Sequence, residues 1–301
     1  MKTGYLFLAI LVLLMYYISI WSSGREGFEA GESETIEDIE KMYDTEYAKI
    51  YNPLWHSSKE LMDFINVSMQ DIMLADKNTN SVNVLDMCCG VAPNACFFKN
   101  LGVEYTGVDI SGDMLAKARS SCPGSKFQKG DVTNASTFSP KSFSHAILLG
   151  FSIYEFPNAK VISDNAYLWI EPGGTFVVHM VEPDKYDPLL DLASPFAAFS
   201  LQKYSVERQT KSEIYFDSFK YSGELKKKKN EDDATFTEVF SYYDPASSPH
   251  HLKYREQIHR WTMPSIERMI EIIKTSGFRL KEKVHLVSSG KEYQYLVYFT
   301  K

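Results

Sequence analysis

Asp86 and Asp109 each end an apolar run, VNVLDM and YTGVDI, and the small-residue bend CCGVAPNA follows the first of them. A carboxylate at the carboxyl end of a parallel strand faces the crevice in which open α/β sheets hold their ligands. Asp109 stands where it can accept from both hydroxyls of a ribose, and a hydrogen bond to a charged group contributes about 1.5–3 kcal/mol. The implied chemistry is the holding of a nucleotide-type ligand. GFSIYEF, Gly150 to Phe156, follows a later apolar run and supplies a hydroxyl and a carboxylate, Tyr154 and Glu155, as the catalytic candidates. His179 lies inside a strand-like run, where a histidine more often packs in the core. His250, His251 and His259 come later, and His259, beside Arg260 and Trp261, can face a cleft or the surface. Glu182-Pro183-Asp184 either contacts substrate or forms a turn. The four cysteines, Cys88, Cys89, Cys96 and Cys122, show no metal-ligand spacing with histidines, so no metal is expected. They read as reduced, buried thiols of a cytosol-like compartment.

These groups need a frame. Ile39, Met42, Tyr43, Tyr47, Ile50 and Tyr51 recur at helical spacing and predict a helix over 36–51, ended by Pro53. A second helix is predicted over 57–74. From Val82 the pattern alternates: strands over 82–87, 105–110, 126–129, 144–149 and 175–181 are separated by helices over 95–100, 111–121 and 158–169. Strands and helices in this rhythm imply a parallel sheet covered on both faces. Residues 204–261 depart from it. Strand-like runs over 213–221, 235–243 and 254–261, with the charged tip KKKKNEDD between the first two, predict an antiparallel insertion of roughly three strands. A helix over 264–276 and strands over 280–287 and 293–299 close the chain.

VLDMCCGVAPNA, GVDIS, KGDVT and WIEPGGTFVVHMV are similar to class I S-adenosylmethionine-dependent methyltransferases over 43–181, and more loosely from Pro264 onward. The family pattern after the first strand is an acid followed by alternating glycines. Here Asp86 holds the acid position and Gly90 the central glycine, while Cys88 and Ala92 stand where glycines are usual. Both are small enough for close approach of a ligand, but each carries a Cβ, so neither easily takes φ > 0. The resemblance implies S-adenosyl-L-methionine as cofactor. Its ribose would lie on Asp109 with Ile110 beside it, and its adenine amino group on Asp131 with the backbone of Val132. Cys88 and Gly90 would make room for the methionine end, which Asp86 either meets through water or serves by ordering the turn. Tyr43-Asp44-Thr45-Glu46-Tyr47-Ala48 resembles a helix that lies over the cofactor in many members; Tyr43 and Tyr47 could equally be core aromatics. A nicotinamide-binding fold would need G-x-G-x-x-G here. That spacing is absent, and Pro93 removes an amide a phosphate could use.

The net charge of −7 argues against general nucleic-acid binding. Thr3 to Gly24 is uncharged and nearly all apolar to Trp21, long enough to cross a bilayer, with a cleaved signal peptide as the alternative. The sequence therefore predicts a single-pass anchor over 1–24, an acidic tether over 25–38 and a methyltransferase domain over 39–301 with a lid inserted at 185–262. The fold class is α/β, a doubly wound Rossmann-like, mostly parallel seven-stranded sheet. The expected function is methyl transfer to a small-molecule or lipid-like acceptor at a membrane, with the catalytic domain in the cytosol. A non-catalytic binding module of the same fold, or a protein methyltransferase, is the alternative. The combination of anchor, tether and body also resembles proteins of large DNA viruses and their algal or protist hosts. Acceptor, topology and oligomeric state are not legible.

Overall fold

A computed structural model describes residues 33–55, 58–75, 79–186, 188, 190–193, 210–243 and 252–301. The chain enters through strand β1 (Ser33–Ile36), a single helical turn α1 (Ile39–Met42), and helices α2 (Thr45–Trp55) and α3 (Lys59–Met73). The main sheet then begins. Strands β2 (Asn83–Met87), β3 (Glu104–Asp109), β4 (Lys126–Lys129), β5 (Phe143–Leu148) and β6 (Ile170–Val181) alternate with helices α4 (Ala95–Asn100), α5 (Gly112–Ser121) and α6 (Ala159–Trp169). The insertion holds β7 (Lys211–Tyr215), β8 (Phe219–Lys227), β9 (Asp233–Tyr243) and β10 (Leu252–Thr262). Helix α7 (Ile266–Lys274) and strands β11 (Arg279–His285) and β12 (Gln294–Thr300) end the chain.

The seven-stranded sheet has the order β11-β12-β6-β5-β2-β3-β4. Its central pairs are parallel, and β12 and β11 add antiparallel at one edge. Alternation along the strands makes it doubly wound. Leu85 and Met87 face a core shared with Ile162, Ala166 and Trp169 of α6 and Ile266, Met269 and Ile273 of α7. Val84, Ile147 and Val177 face the other core, with Met69 of α3, Phe98 of α4 and Leu115 of α5. Each large apolar side chain so buried contributes about 1.5–3 kcal/mol. The helices start where a side-chain oxygen caps them: Ser58, Ser111, Asn158 and Ser265 each accept a backbone N–H of the first turn.

The insertion forms a second sheet in the order β1-β10-β9-β8-β7, with β1 parallel to β10 and the other pairs antiparallel. Its inner face, carrying Ile214, Phe219, Tyr221 and Phe240, packs on Tyr47 and Leu54 of α2. Several expectations are corrected here. The predicted run 213–221 is two strands, because the chain turns at 216–218, where Phe216 N–H bonds the Phe219 carbonyl at 2.9 Å. The lid therefore has four strands of its own rather than three, and a fifth comes from the predicted tether, whose residues 33–36 pair with β10. The predicted helix over 36–51 breaks at Tyr43, because the Asp44 carboxylate caps a new helix by accepting Tyr47 N–H at 2.9 Å. That helix continues through Pro53 to Trp55, whose indole N–H bonds the Tyr47 hydroxyl at 3.0 Å and holds the last turn. The predicted anchor over 1–24 and the rest of the tether lie outside the described residues, as do His250 and His251. Among the described residues no helix is long and apolar enough to cross a membrane.

The reading of all four cysteines as thiols is also corrected. Cys96 of α4 and Cys122 at the end of α5 form a disulfide, with Cα atoms 5.5 Å apart, and Cys88 and Cys89 remain free. Closing a loop of 26 residues stabilises the fold by about 3.5 kcal/mol in the chain-entropy account. Alkylation of the denatured, unreduced protein should modify Cys88 and Cys89 alone, and reductant should expose all four. Modification of all four without reductant would contradict the bridge.

Candidate active site

The tips of β2 and β3 are joined through one carboxylate. Gly90 N–H bonds Asp109 Oδ2 at 2.8 Å, and Ser111 N–H bonds Asp109 Oδ1 at 2.9 Å. The Ser111 hydroxyl donates to the Tyr43 carbonyl while its oxygen caps α5 through Met114 N–H. One acid thus positions the glycine turn, the start of α5 and, through Ser111, the end of α1. The turn alternates into the left-handed region at Cys88 (φ 55°), Gly90 (φ 53°) and Ala92 (φ 52°). The expectation that side chains at Cys88 and Ala92 would resist positive φ is overturned. Each costs about 1–2 kcal/mol, and the ring of bonds holds them there: Cys89 N–H to Val108, Ala92 N–H to Cys89, and Gly90 N–H to Asp109. Gly90 is where a side chain is least tolerable, since a Cβ would also meet Met114 Cε at 3.3 Å.

The tips of β2 and β5 lie beneath Tyr51, at the crevice in which a ligand of an open α/β sheet would sit. Tyr51 Cε1 and the Tyr51 hydroxyl oxygen lie 4.0 Å and 3.9 Å from where Cβ atoms would stand on Gly90 and Gly150, so Tyr51 packs over both glycines at van der Waals distance. Asp109 stands at the neighbouring strand tip, about nine-tenths buried, with lone pairs beyond those used by the two amides. Burial raises the Asp109 carboxyl above its usual range, against the amides of Ser111, Gly90 and Ile110, which lower it. The remaining acceptor capacity suits the hydroxyls of a ribose diol. Ile110, half-buried, follows at the same tip. Asp86 sits deeper, its Oδ2 accepting from the Tyr105 hydroxyl at 2.6 Å, so its oxygen orders the strands. Asp131 is exposed and spends both oxygens on the backbone and hydroxyl of Thr133. Val132 is buried, and its carbonyl accepts from Asn165.

Across the cleft lies a polar cluster shared by both sheets. Glu238 of β9, fully buried, accepts from the Tyr47 hydroxyl (2.9 Å), the Tyr221 hydroxyl (2.7 Å) and His259 Nε2 (2.9 Å). His259 Nδ1 faces Glu155 Oε1 at 3.9 Å, and that oxygen accepts from the Tyr43 hydroxyl at 2.9 Å. Tyr43 packs edge-on against Tyr47, Tyr51 and His259. Burial alone would lower the His259 imidazole; the hydrogen bond and charge of Glu238, then the charge of Glu155, reverse this and raise it. Burial raises Glu155, opposed by His259 and Tyr43.

Of the residues singled out in the sequence, Asp109, Gly90, Cys88, Tyr43 and Glu155 come together around this cleft. Tyr47 is directed to the lid network through Glu238 rather than to the glycine turn. Tyr154 is corrected: its ring is fully buried, and its hydroxyl donates to the Val181 carbonyl and accepts Val181 N–H, tying the turn to β6. His179 is buried against Phe151, with ring centres 4.2 Å apart. Asp184 pairs with Lys227 on the lid. Sequence reasoning missed Glu238, and it placed Tyr51 only on the helix face shared with Tyr43 and Tyr47. Glu238 was detectable, because it occupies an inward position of the alternation Ala234, Phe236, Glu238, Phe240 in β9. A carboxylate there must find buried partners.

Residues 84–174 match the family model described as a methyltransferase domain. No match was found among curated proteins. Solved structures give fold-level likeness. An S-adenosylmethionine-dependent methyltransferase from Clostridium acetobutylicum is 16% identical, covers 85% of this chain and 97% of its own, and has a TM-score of 0.57. An amino pentose methyltransferase from Micromonospora echinaspora, bound to S-adenosylmethionine, is 15% identical, covers 81% and 91%, and scores 0.55. A sugar N-methyltransferase from Streptoalloteichus is 12% identical, covers 91% and 97%, and scores 0.60. At these identities the likeness establishes the fold.

The chemistry of Asp86 can be checked without any ligand. Burial pushes its carboxyl up to about 7, against the Tyr105 hydrogen bond and helped by the charge of Asp109. The folded protein therefore favours the protonated acid. The stability this gives is complete below the unfolded carboxyl value of about 3.9 and is lost as pH rises through about 7. Asp86→Asn, which keeps an oxygen for Tyr105, should lose less stability than the parent between about pH 4 and pH 8 in urea unfolding. Equal losses would contradict the assignment.

Proposed function

We propose that this chain, a class I S-adenosylmethionine-dependent methyltransferase in its seven-stranded body, transfers a methyl group to a small-molecule acceptor held between that body and the inserted sheet. The observation that carries the reading is Asp109: a buried carboxylate at the tip of β3, fixed by two amides, one of them from Gly90 in the turn after β2. When bound, the cofactor supplies an activated methyl carbon on sulfur, so the protein has little covalent chemistry to do. Its own work is to bind, align and exclude water, and alignment can lower a barrier by about 7–11 kcal/mol. Asp109 would hold the ribose. Tyr43 and Tyr51 would cover the cleft, and the lid sheet, pinned by Glu238 to Tyr47 of α2, would close it from above.

Side chains of the inserted sheet and of the turn after β5 meet around Glu155, which supports an acceptor of the small-molecule class. The sugar and amino pentose methyltransferases that share the fold act on acceptors of that scale. The apolar segment 1–24 would anchor the enzyme at a membrane, which brings lipid headgroups within the same class. The Cys96–Cys122 bridge favours placement of the domain on the oxidising side of that membrane, in place of the cytosolic expectation.

Calorimetry on the full chain should show saturable binding of S-adenosylmethionine. Asp109→Ala should weaken it at least tenfold, equivalent to about 1.4 kcal/mol. No binding by the parent at high micromolar concentration would overturn the reading, and unchanged affinity in the variant would remove Asp109 from it. Deleting residues 1–23 should move the protein from the membrane to the soluble fraction; a full-length chain already soluble would contradict the anchor.

A further inference from the structure

We propose that the Glu238–His259–Glu155 array is the acceptor site and that it takes a primary amine, with His259 Nδ1 as the base that removes a proton from the bound ammonium. The inference deepens the methyltransferase reading and rests on it. Three observations carry it, the first of which is charge. Two carboxylates, Glu155 and Glu238, share one imidazole, and no Lys or Arg pairs with either among the described residues. With both carboxyls ionised and His259 protonated, one negative charge lacks a counter-ion, and the upward push that burial gives the Glu155 carboxyl reflects that cost. An uncompensated buried charge costs several kcal/mol. A cationic ligand removes that cost and a neutral alcohol does not. Hydroxyl donors already surround Glu238, and Tyr43 already serves Glu155, so a further hydroxyl adds little.

Geometry is the second. The 3.9 Å between His259 Nδ1 and Glu155 Oε1 is too long for a direct hydrogen bond. One nitrogen about 2.8 Å from both atoms would subtend an angle of roughly 90° between them, within reach of two N–H bonds of an ammonium. The aromatic edge of the site suits the same charge. Tyr43 and Phe236 flank His259, with ring centres 6.0 and 5.7 Å from its own, and ring faces attract ammonium groups.

Position is the third. Tyr43 links the array to the cofactor cleft, its carbonyl on Ser111 beside Asp109 and its hydroxyl on Glu155. An amine held by Glu155 therefore lies on the side of the cleft opposite the ribose end. Glu238 touches neither the cofactor space nor the acceptor. It is a positioning residue that fixes the imidazole through Nε2, so that Nδ1 carries the lone pair.

An ammonium nitrogen has no lone pair and cannot attack carbon. The ammonium N–H bond breaks, its electron pair stays on nitrogen, and Nδ1 takes the proton to give imidazolium. That lone pair then forms the new N–C bond as the S–C bond breaks, its electrons remaining on sulfur as the positive charge passes to the methylated nitrogen. The imidazolium returns its proton to water. The groups facing His259 are Glu238 from β9, Glu155 from the turn after β5, and Tyr43 from the end of α1, with Tyr47 and Tyr221 acting through Glu238. All of its charged neighbours are acids, so the imidazole should titrate above its ordinary value and the rate should rise with pH through that titration.

The full chain, saturated with S-adenosylhomocysteine, should be titrated with ethanolamine and glucosamine, and with ethylene glycol and glucose as hydroxyl-only counterparts. The imidazole resonance of His259, assigned by its loss in His259→Gln, should move saturably with the amines and not with the alcohols. Glu155→Gln should weaken amine binding at least tenfold while leaving S-adenosylhomocysteine affinity within twofold, and Glu155→Asp should restore part of it. With labelled S-adenosylmethionine, label should enter an amine. The acid limb of the pH–rate profile should shift to lower pH in Glu238→Gln, which a purely structural glutamate would not cause. Alcohols binding as well as amines, no amine binding or labelling, or an unmoved acid limb would overturn the proposal. Failure to bind S-adenosylhomocysteine would instead remove the methyltransferase reading beneath it.

Discussion

The Asp109 carboxylate is the constraint from which the site follows. It lies at the tip of β3, about nine-tenths buried, and accepts one amide from the turn after β2 and one from the start of α5. Without it, two backbone donors would face a low-dielectric crevice unpaired, at about 1–3 kcal/mol each. With it, the bend can hold Cys88 and Ala92 in a conformation that side chains avoid. The strain is local and the compensation is local, which is common where backbone must approach a ligand closely. The same bonds leave the carboxylate further lone pairs, so in the proposed function one group would serve both the fold and the ligand.

The second sheet is joined to the first by polar groups as well as by packing. Glu238 is buried among three donors from α2, β8 and β10, a fully connected cluster of the sort that fixes one arrangement of two layers. Around it the contacts are aromatic: Phe236 stacks on Trp261, and Tyr47 meets Phe240 edge-on. The lid is thereby placed over the strand tips at a defined height. His259 and Glu155, from different sheets, come to face each other only because of this register.

The parallel sheet was legible because its signals are local. Apolar alternation ending in Asp86 and Asp109 and the caps at Ser111 and Asn158 placed strands and helices to within a few residues, although β6 begins at Ile170 and runs through Pro172-Gly173-Gly174. The carboxylate at the tip of β3 was legible for the same reason. The lid was harder. β1 carries the acidic sequence SETI and pairs through its backbone, so nothing in its side chains marks it as a strand. The break at Tyr43 was hidden because Asp44 caps a helix inside a pattern that stays periodic. Cys96 and Cys122 meet only once α4 and α5 pack together, which spacing alone does not reveal. Tyr154 looked chemical from its place after β5, yet the neighbouring backbone of Val181 claims its hydroxyl. Glu155, next to it, points the other way and meets Tyr43.

The most direct measurement is a crystal structure of the chain with S-adenosylhomocysteine. The account expects both ribose hydroxyls within hydrogen-bond distance of Asp109, with the Gly90 and Ser111 amides still on that carboxylate and the sulfur turned toward Glu155. A nucleoside lodged elsewhere, or an Asp109 side chain that abandons those amides with the bend unchanged, would contradict it.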